Sequence, residues 1–543
     1  MHEEVFTKKI EEKLWWQTGI IYEIYVRSFQ DSNDDGIGDL RGILKRLDYL
    51  EWLGVTALWL TPVYPSPMKD FGYDISDYTG IHPVFGKMDD FDELISEVHR
   101  RGMKLIIDFV PNHTSDQHPW FLESRSSKNN PKRDWYYWKD AGPGGQPPNN
   151  WLAVLGGSAW EWDELTKQYY YHAFLKEQPD LNLRNPEVQK AIMDIMRFWL
   201  GKGVDGFRID VMWHLAKDEK WRDNPANPHY QPHMPTCDQV LQIYSCDQPE
   251  ARDIVSLFRE LLDTYSQKLL IGELYLPIDK VVGYYGAGNK GAHLPGNFQL
   301  LFLPWQAGEL GIAIDQYEGV LPDVAWPNWI IGNHDRPRLI SRIGREQTCN
   351  AAMLLLTLRG TPTLYYGDEI GMQQVRIPDS EVQDPQGLLM PGKNLSRDGG
   401  RTPMQWDGTE GAGFSKHKPW MRLDEQYREN NVAEQKEDPD SLLNFYHRLI
   451  HIRQSEPSLN MGDYYPIITD GKVLSYMRKA EGADSFLVIL NLTNEAQKFV
   501  PVRTEFCGSI VLSTKRNGEG EQLEYGRLLQ PDEGLLVRLE STE

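Results

Sequence analysis

Residues 204–210 read VDGFRID, an apolar run closed by an acid. Two later stretches end the same way: KLLIGEL (268–274) carries Glu273 and NWIIGNHD (328–335) carries Asp335. Asp210, Glu273 and Asp335 are separated by 63 and 62 positions. A strand, a helical crossover and a modest loop fill that distance. Acids at the carboxyl ends of several strands of one barrel point to a shared catalytic mouth.

Working outward, five more short apolar runs resemble these: IIYEIYV (20–26), ALWLTP (57–62), KLIIDFV (104–110), FQLLFL (298–303) and TPTLYYG (361–367). Between the early ones, LRGILKRLDYLEWLG (40–54) and MDDFDELISEVHRRG (88–102) space their apolar residues as helices do. The second begins acidic and ends in His99, Arg100, Arg101 and Gly102, which suits a helix dipole and a glycine stop. Eight strands with helices between them predict an α/β fold, a (β/α)₈ TIM barrel over 1–110 and 183–460. More than ninety residues separate Val110 from Val204, too many for a structureless loop. An inserted subdomain over 111–182 after strand 3 is expected. It would wall the mouth, and the polar stretch 371–440 would add a second wall. From 461 to 543, runs such as GKVLSYMRKA, SFLVILNLT, KFVPVR and GSIVLS alternate and break at turn residues. They predict a C-terminal antiparallel β-sandwich.

The chain has 543 residues, 40% of them hydrophobic, and a net charge of -22. That charge argues against a nucleic-acid partner. No run approaches the ~18 apolar residues of a membrane span. The N-terminus, MHEEVFTKKIEEKLWW, has no apolar core, so a soluble cytoplasmic protein is expected. Four cysteines without a CxxC pair fit a reducing compartment. Oligomeric state is left open.

Cleaving a glycosidic bond needs two carboxyl groups. One protonates the leaving oxygen and, in a retaining enzyme, the other attacks the anomeric carbon from about 5–5.5 Å away. Arg208 lies two positions before Asp210, on the same strand face, and is expected to hold Asp210 ionised. Glu273 needs apolar walls and a neighbouring negative charge to keep its proton near neutral pH. His113 and His334 are placed to donate to sugar hydroxyls. They do not form HExxH, which argues against zinc. Among 18 tryptophans and 26 tyrosines, many crowd 135–171. Most of these are expected in the insert's own core, with a few stacking on a sugar face.

A further motif is Asp31-Ser-Asn33-Asp-Asp35-Gly36-Ile37-Gly38-Asp39. Side-chain oxygens of Asp31, Asn33, Asp35 and Asp39, with the Ile37 carbonyl, match the start of a calcium loop. The twelfth position is Gly42 rather than Glu. A single structural Ca²⁺ or Mg²⁺ is expected, with a hydrogen-bonded Asx-turn loop as the alternative. No organic cofactor is implied.

The ordered set DFVPNH (108–113), QPDLN (178–182), GFRID (206–210), GEL (272–274), NHD (333–335), GYDISDY (72–78), TPTLYYGDEIGM (361–372) and RTPMQW (401–406) resembles the α-amylase superfamily, glycoside hydrolase family 13. Its oligo-1,6-glucosidase/α-glucosidase branch is the nearest in pattern. The resemblance implies a retaining mechanism on α-glucosides. Asp210 would be nucleophile, Glu273 acid/base and Asp335 transition-state stabiliser. Asp74, Tyr73, His113, Phe174, Arg208, His334 and Arg401 would grip the terminal glucose, with Asp74 and Arg401 closing the pocket beyond it. Asp108 and Asn112 would shape its floor. Val211 resembles members that tolerate α-1,6 bonds, whereas Met212-Trp213-His214 and Leu155 depart from the branch. The first expectation is exo-hydrolysis of maltose, isomaltose and short oligosaccharides. The alternative is a sucrose isomerase, trehalose synthase or α-transglucosylase using the same carboxylates.

Overall fold

The computed structural model describes residues 13–469, 471–502 and 506–540. Most of the charged N-terminal stretch and the end of KFVPVR lie outside the described residues. Eight short parallel strands close a barrel. They are β1 (Ile21–Ile24), β2 (Ala57–Leu60), β3 (Lys104–Phe109), β4 (Gly206–Ile209), β5 (Leu269–Gly272), β6 (Leu294–Asn297), β7 (Asn328–Ile330) and β8 (Thr361–Tyr365). Each pairs with its neighbours in the chain, and β8 pairs with β1. Nearly all strand residues are buried, because one face packs inside the barrel and the other against the helices.

The helices form where the sequence marks them. Leu40–Leu53 starts at Asp39, whose Oδ1 accepts from the Gly42 amide at 2.7 Å, and stops at Gly54 with φ 92°. Met88–Arg100 has Asp89 and Asp90 in its first turn and His99 and Arg100 in its last, complementing the helix dipole.

The sixth strand differs from expectation. FQLLFL is not a strand: Gln299–Phe302 is one helical turn, and β6 is the preceding LPGN. Proline and glycine carry little strand propensity, so this segment gave no signal. The glycine is required by packing. A Cβ on Gly296 would sit 2.7 Å from the Gly272 carbonyl oxygen on β5.

Between β3 and the helix Pro186–Gly201, the chain builds a three-stranded antiparallel sheet from Trp138–Lys139, Gln168–Tyr171 and Trp160–Asp163. Tyr137, Trp151, Trp160 and Tyr171 form its core, joined by Trp221 from the loop after β4. At the C-terminus, a five-stranded antiparallel sheet and a two-stranded ribbon enclose a second core. This unit covers the barrel flank through buried hydrogen bonds: Asn350 Nδ2 donates to the Asn491 carbonyl at 3.1 Å, and Tyr476 Oη lies 2.6 Å from Thr357 Oγ1. Among the described residues, no helix is long and apolar enough to cross a membrane.

Candidate active site

Strands β4, β5 and β7 end at the same mouth, each followed by one acid: Asp210, Glu273 and Asp335. All three line one cavity of about 730 Å³. Arg208, on β4 and 1% exposed, connects the first two. Its Nη1 donates to Asp210 Oδ1 at 2.7 Å and to Asp108 Oδ1 at 2.9 Å. Its Nη2 lies 2.9 Å from Glu273 Oε2 without hydrogen-bond alignment. The guanidinium also packs on the Trp59 ring at 4.9 Å.

One cation therefore faces three buried carboxylates. Arg208 does not hold Asp210 low, as its spacing alone led one to expect. Burial pushes the Asp210 carboxyl well above its ordinary range, and the charge of Glu273 adds to this. Arg208 pulls the other way but is shared. Burial also raises Glu273, to about 7, against the pull of Arg208. Two such acids titrate as a unit, and the pair keeps a proton to near neutral pH. Asp335 is different. Burial opposes its charge, but the Arg397 and Arg401 guanidinium groups outweigh that and hold it well below the usual range. Arg401 Nη2 and Arg397 Nη1 donate to its Oδ1 at 2.8 and 3.1 Å.

Val211 couples the first two acids through the backbone. Its amide donates to Glu273 Oε2 at 2.8 Å. To aim it there the residue adopts φ 40° and ψ 48°, a left-handed conformation that a β-branched residue rarely takes. Such strain costs on the order of 1–3 kcal/mol and persists only where the surroundings impose it.

The two histidines are buried and neutral. Burial lowers His113 to about 4 and His334 well below its ordinary value. His334 Nδ1 lies 2.5 Å from Glu23 Oε1, and its Nε2 lies 2.8 Å from Tyr73 Oη. Tyr73 donates to Asp108 Oδ2 at 2.9 Å and stacks on His334 with a 10° interplanar angle. His113 Nε2 lies 3.1 Å from the Tyr73 carbonyl oxygen, and Phe174 packs on the His113 ring at 5.4 Å. Asn112 Nδ2 lies 3.1 Å from His113 Nδ1 and fixes that ring from behind.

The structure departs from three of the expected contacts. Asp74, Arg208 and Arg401 do not line the cavity, and Arg208 lies behind the carboxylates it binds. Asp74 is fully buried and accepts from Ser66 Oγ and from the Lys69 and Asp70 amides at 2.9–3.0 Å, so its oxygens brace a turn. Arg401 stands behind the wall, donating to the His334 carbonyl at 2.8 Å. The pair on the wall is Asp70 and Arg397, joined at 2.8 Å, with Arg397 also bound to Asp384. Each is four residues ahead of the residue first singled out and lies beside the same motif. The signal was an acid and a base at a small offset, which spacing alone does not rank. Gln178 and His214, also missed, line the cavity too. Among the described residues, neither ring nitrogen of His214 has a hydrogen-bond partner.

From the insert, Val154, Leu155 and Phe174 reach the cavity, whereas its tryptophans and tyrosines do not. The expectation that some of those rings face a sugar is not met, because they are consumed in the insert's core.

The loop 31–39 is wound by side-chain oxygens that accept amides. Asp31 Oδ1 accepts from Asn33, Asn33 Oδ1 from Asp35 and Asp35 Oδ1 from Ile37, at 2.8–3.0 Å. Asp39 turns its two oxygens to the Gly42 and Ser32 amides. The donor set is all oxygen and suits a hard divalent cation in chemistry. Among the described residues, however, no group of three or more His, Cys, Asp or Glu side chains is gathered as a metal cluster.

Residues 23–462 match the family model described as the α-amylase catalytic domain. The chain belongs to the α-amylase family. It is therefore an enzyme. A probable α-glucosidase of Rhizobium meliloti (strain 1021) is 40% identical over 500 residues, covering 89% of this chain and 90% of the relative. Among solved structures, the α-glucosyl transfer enzyme XgtA superposes with a TM-score of 0.92 at 36% identity, covering 97% of this chain and all of that one. An isomaltulose synthase mutant from Erwinia rhapontici NX5, solved with its natural substrate sucrose, gives 0.88 at 33%, over 97% and 100% of the two chains.

The site's electrostatics predict a pH profile. Glu273 must carry its proton to act as an acid, so kcat/KM should fall as pH rises through about 7. Glu273→Gln should lose this alkaline limb on a substrate whose leaving group needs no proton. An alkaline limb unchanged in that variant would remove Glu273 from the role.

Proposed function

We propose that this α-amylase family member is a retaining, exo-acting enzyme that transfers a terminal α-glucosyl unit. Asp210 attacks the anomeric carbon while Glu273 gives its proton to the glycosidic oxygen, and the carbon–oxygen bond to the leaving group breaks. The glucosyl ester on Asp210 is then opened by a hydroxyl whose proton returns to Glu273, restoring both carboxyl groups and the α configuration. Asp335, held as an anion, stabilises the positive charge that develops at the sugar ring. His113, His334 and Tyr73 hold the glucose hydroxyls. Asp70 and Arg397 close the cavity beyond them, which favours removal of one terminal unit over cleavage inside a long chain.

The second step divides the two activities expected from the sequence. Hydrolysis stood first, and transfer to a sugar hydroxyl stood as the alternative. One observation favours transfer: beside polar groups such as Asp238, Gln242 and Arg336, the cavity is lined by Val211, Trp213, Leu241, Ile243, Tyr275 and Phe302. Such a wall holds an organic acceptor better than it holds water. The resemblance to a glucosyl-transfer enzyme and to an isomaltulose synthase supports the same reading, while the curated relative's name keeps hydrolysis as the accompanying reaction. Incubation with maltose and with sucrose, followed by product identification over time, tests it. Transfer or isomer products should dominate early. Glucose alone from maltose, and equal amounts of glucose and fructose from sucrose, would return the chain to hydrolysis.

We also propose that the 31–39 loop accepts one structural divalent cation through Asp31, Asn33, Asp35, Asp39 and the Ile37 carbonyl. It lies on the entry to the Leu40–Leu53 helix, so its effect is on stability rather than chemistry. Chelation should lower Tm, and Ca²⁺ should restore it. A Tm indifferent to verified metal removal would leave the loop to its hydrogen bonds alone.

A further inference from the structure

Beside the mouth lies a second, separate concavity of about 990 Å³. It runs between the segment after β5, the turn Gln299–Phe302 and the helix Ala307–Val320. Its walls are mostly apolar, and several side chains stand open to solvent: Phe302 is 54% exposed, Ile312 59% and Val320 53%. The helix carrying Ile312 turns another face to the C-terminal sheet, where a Cβ on Gly311 would lie 3.3 Å from Leu474. The exposed face is therefore not the one that seals the core. Exposed apolar groups gathered in one concavity mark a binding surface more often than chance.

Its position indicates the occupant. Tyr275, Leu276, Pro277 and Phe302 line both this groove and the catalytic cavity, forming a sill between them. Asp70 and Arg397 line the cavity as an ion pair and do not border the groove. Glu273 lines the cavity on the same segment that forms the sill, two residues before Tyr275. An acid that protonates the leaving oxygen marks the side from which the leaving group departs. That side leads over Phe302 into the groove.

We propose that the groove is an aglycone site: it beds the alkyl chain of an amphiphilic α-glucoside whose glucose occupies the catalytic cavity. Neutral alkyl α-glucosides are then donors, and the corresponding alkanols are acceptors. The Arg336 guanidinium packs on the Tyr275 and Phe302 rings of the sill at 4.9 and 4.6 Å, but the charged groups lining the groove itself are Asp279 and Glu309, so the groove disfavours an anionic tail. This inference rests on the assignment of Asp210 and Glu273 above, because that assignment fixes which side is the leaving-group side.

The test is a series of methyl, butyl and octyl α-glucosides with the full-length enzyme. Chains too short to cross the sill gain little, and each methylene buried beyond it should raise kcat/KM by about fourfold. Octyl glucoside should therefore exceed methyl glucoside by at least tenfold. Ile312→Asp and Val320→Asp, both remote from the carboxylates, should remove that advantage while leaving turnover of maltose unchanged. A flat series in the native enzyme would overturn the proposal, as would a series that rises equally in the variants. If the variants change the sedimenting species from dimer to monomer without changing the series, the groove belongs to a second copy and the proposal fails. Calorimetric titration of the same glucosides into the Asp210→Asn variant reads the groove without turnover. Tighter binding of octyl than methyl glucoside there supports the aglycone site even if the proposed reaction is wrong, and equal affinities overturn it.

Discussion

Arg208 is the point on which the site depends. Its guanidinium is almost wholly buried and lies against Asp108, Asp210 and Glu273. A single buried cation among three carboxylates cannot neutralise them all, and burying an uncompensated charge is costly. The lower-energy arrangement keeps a proton on the Asp210–Glu273 pair. The proposed mechanism needs this asymmetry, with one acid charged and the other protonated. Asp335 escapes the competition because it has its own partners, Arg397 and Arg401. Three acids at one mouth thus acquire different protonation states from the number and placement of three arginines.

The barrel delivers these groups with little slack. Arg208 and Asp210 are two residues apart at the end of β4, and Asp108 pairs with Arg208 across the β3–β4 register. Glu273 follows β5, which pairs with β4 over four residues. Neighbouring strands therefore set the spacing of the acids, and the strained Val211 adds a fixed amide between them. The loops do a different job. The insert supplies Leu155 and Phe174 and the 371–440 stretch supplies Arg397 to the cavity wall, so the excursions shape the cavity while the three acids follow the staves.

Much of this was legible in the sequence because it depends on local pattern. Seven of the eight strands are apolar runs, and the two early helices carry their caps and dipole charges openly. The three acids could be found because each directly follows such a run. β6 could not be read because LPGN is chosen for close backbone approach to β5, a tertiary demand that overrides propensity. Asp70 and Arg397 were hidden for a related reason. Which of two nearby acids, or of two nearby arginines, faces a cavity depends on how a loop turns, and Asp74 and Arg401 fit the same motifs. Sharing of Arg208 among three acids was likewise invisible, since period two relates it to Asp210 alone. The aromatic crowd in 135–171 was conspicuous but uninformative about substrate, because a small subdomain spends its large rings on its own core.

The central claim is that the Asp210–Glu273 pair retains a proton that the shared Arg208 cannot displace. Difference infrared spectroscopy of the unliganded enzyme reads this without any substrate. The account predicts a protonated-carboxyl band at pH 6 that fades as pH passes about 7 and is missing from Glu273→Gln. A spectrum with no such band at pH 6, or one that the substitution leaves intact, would contradict it.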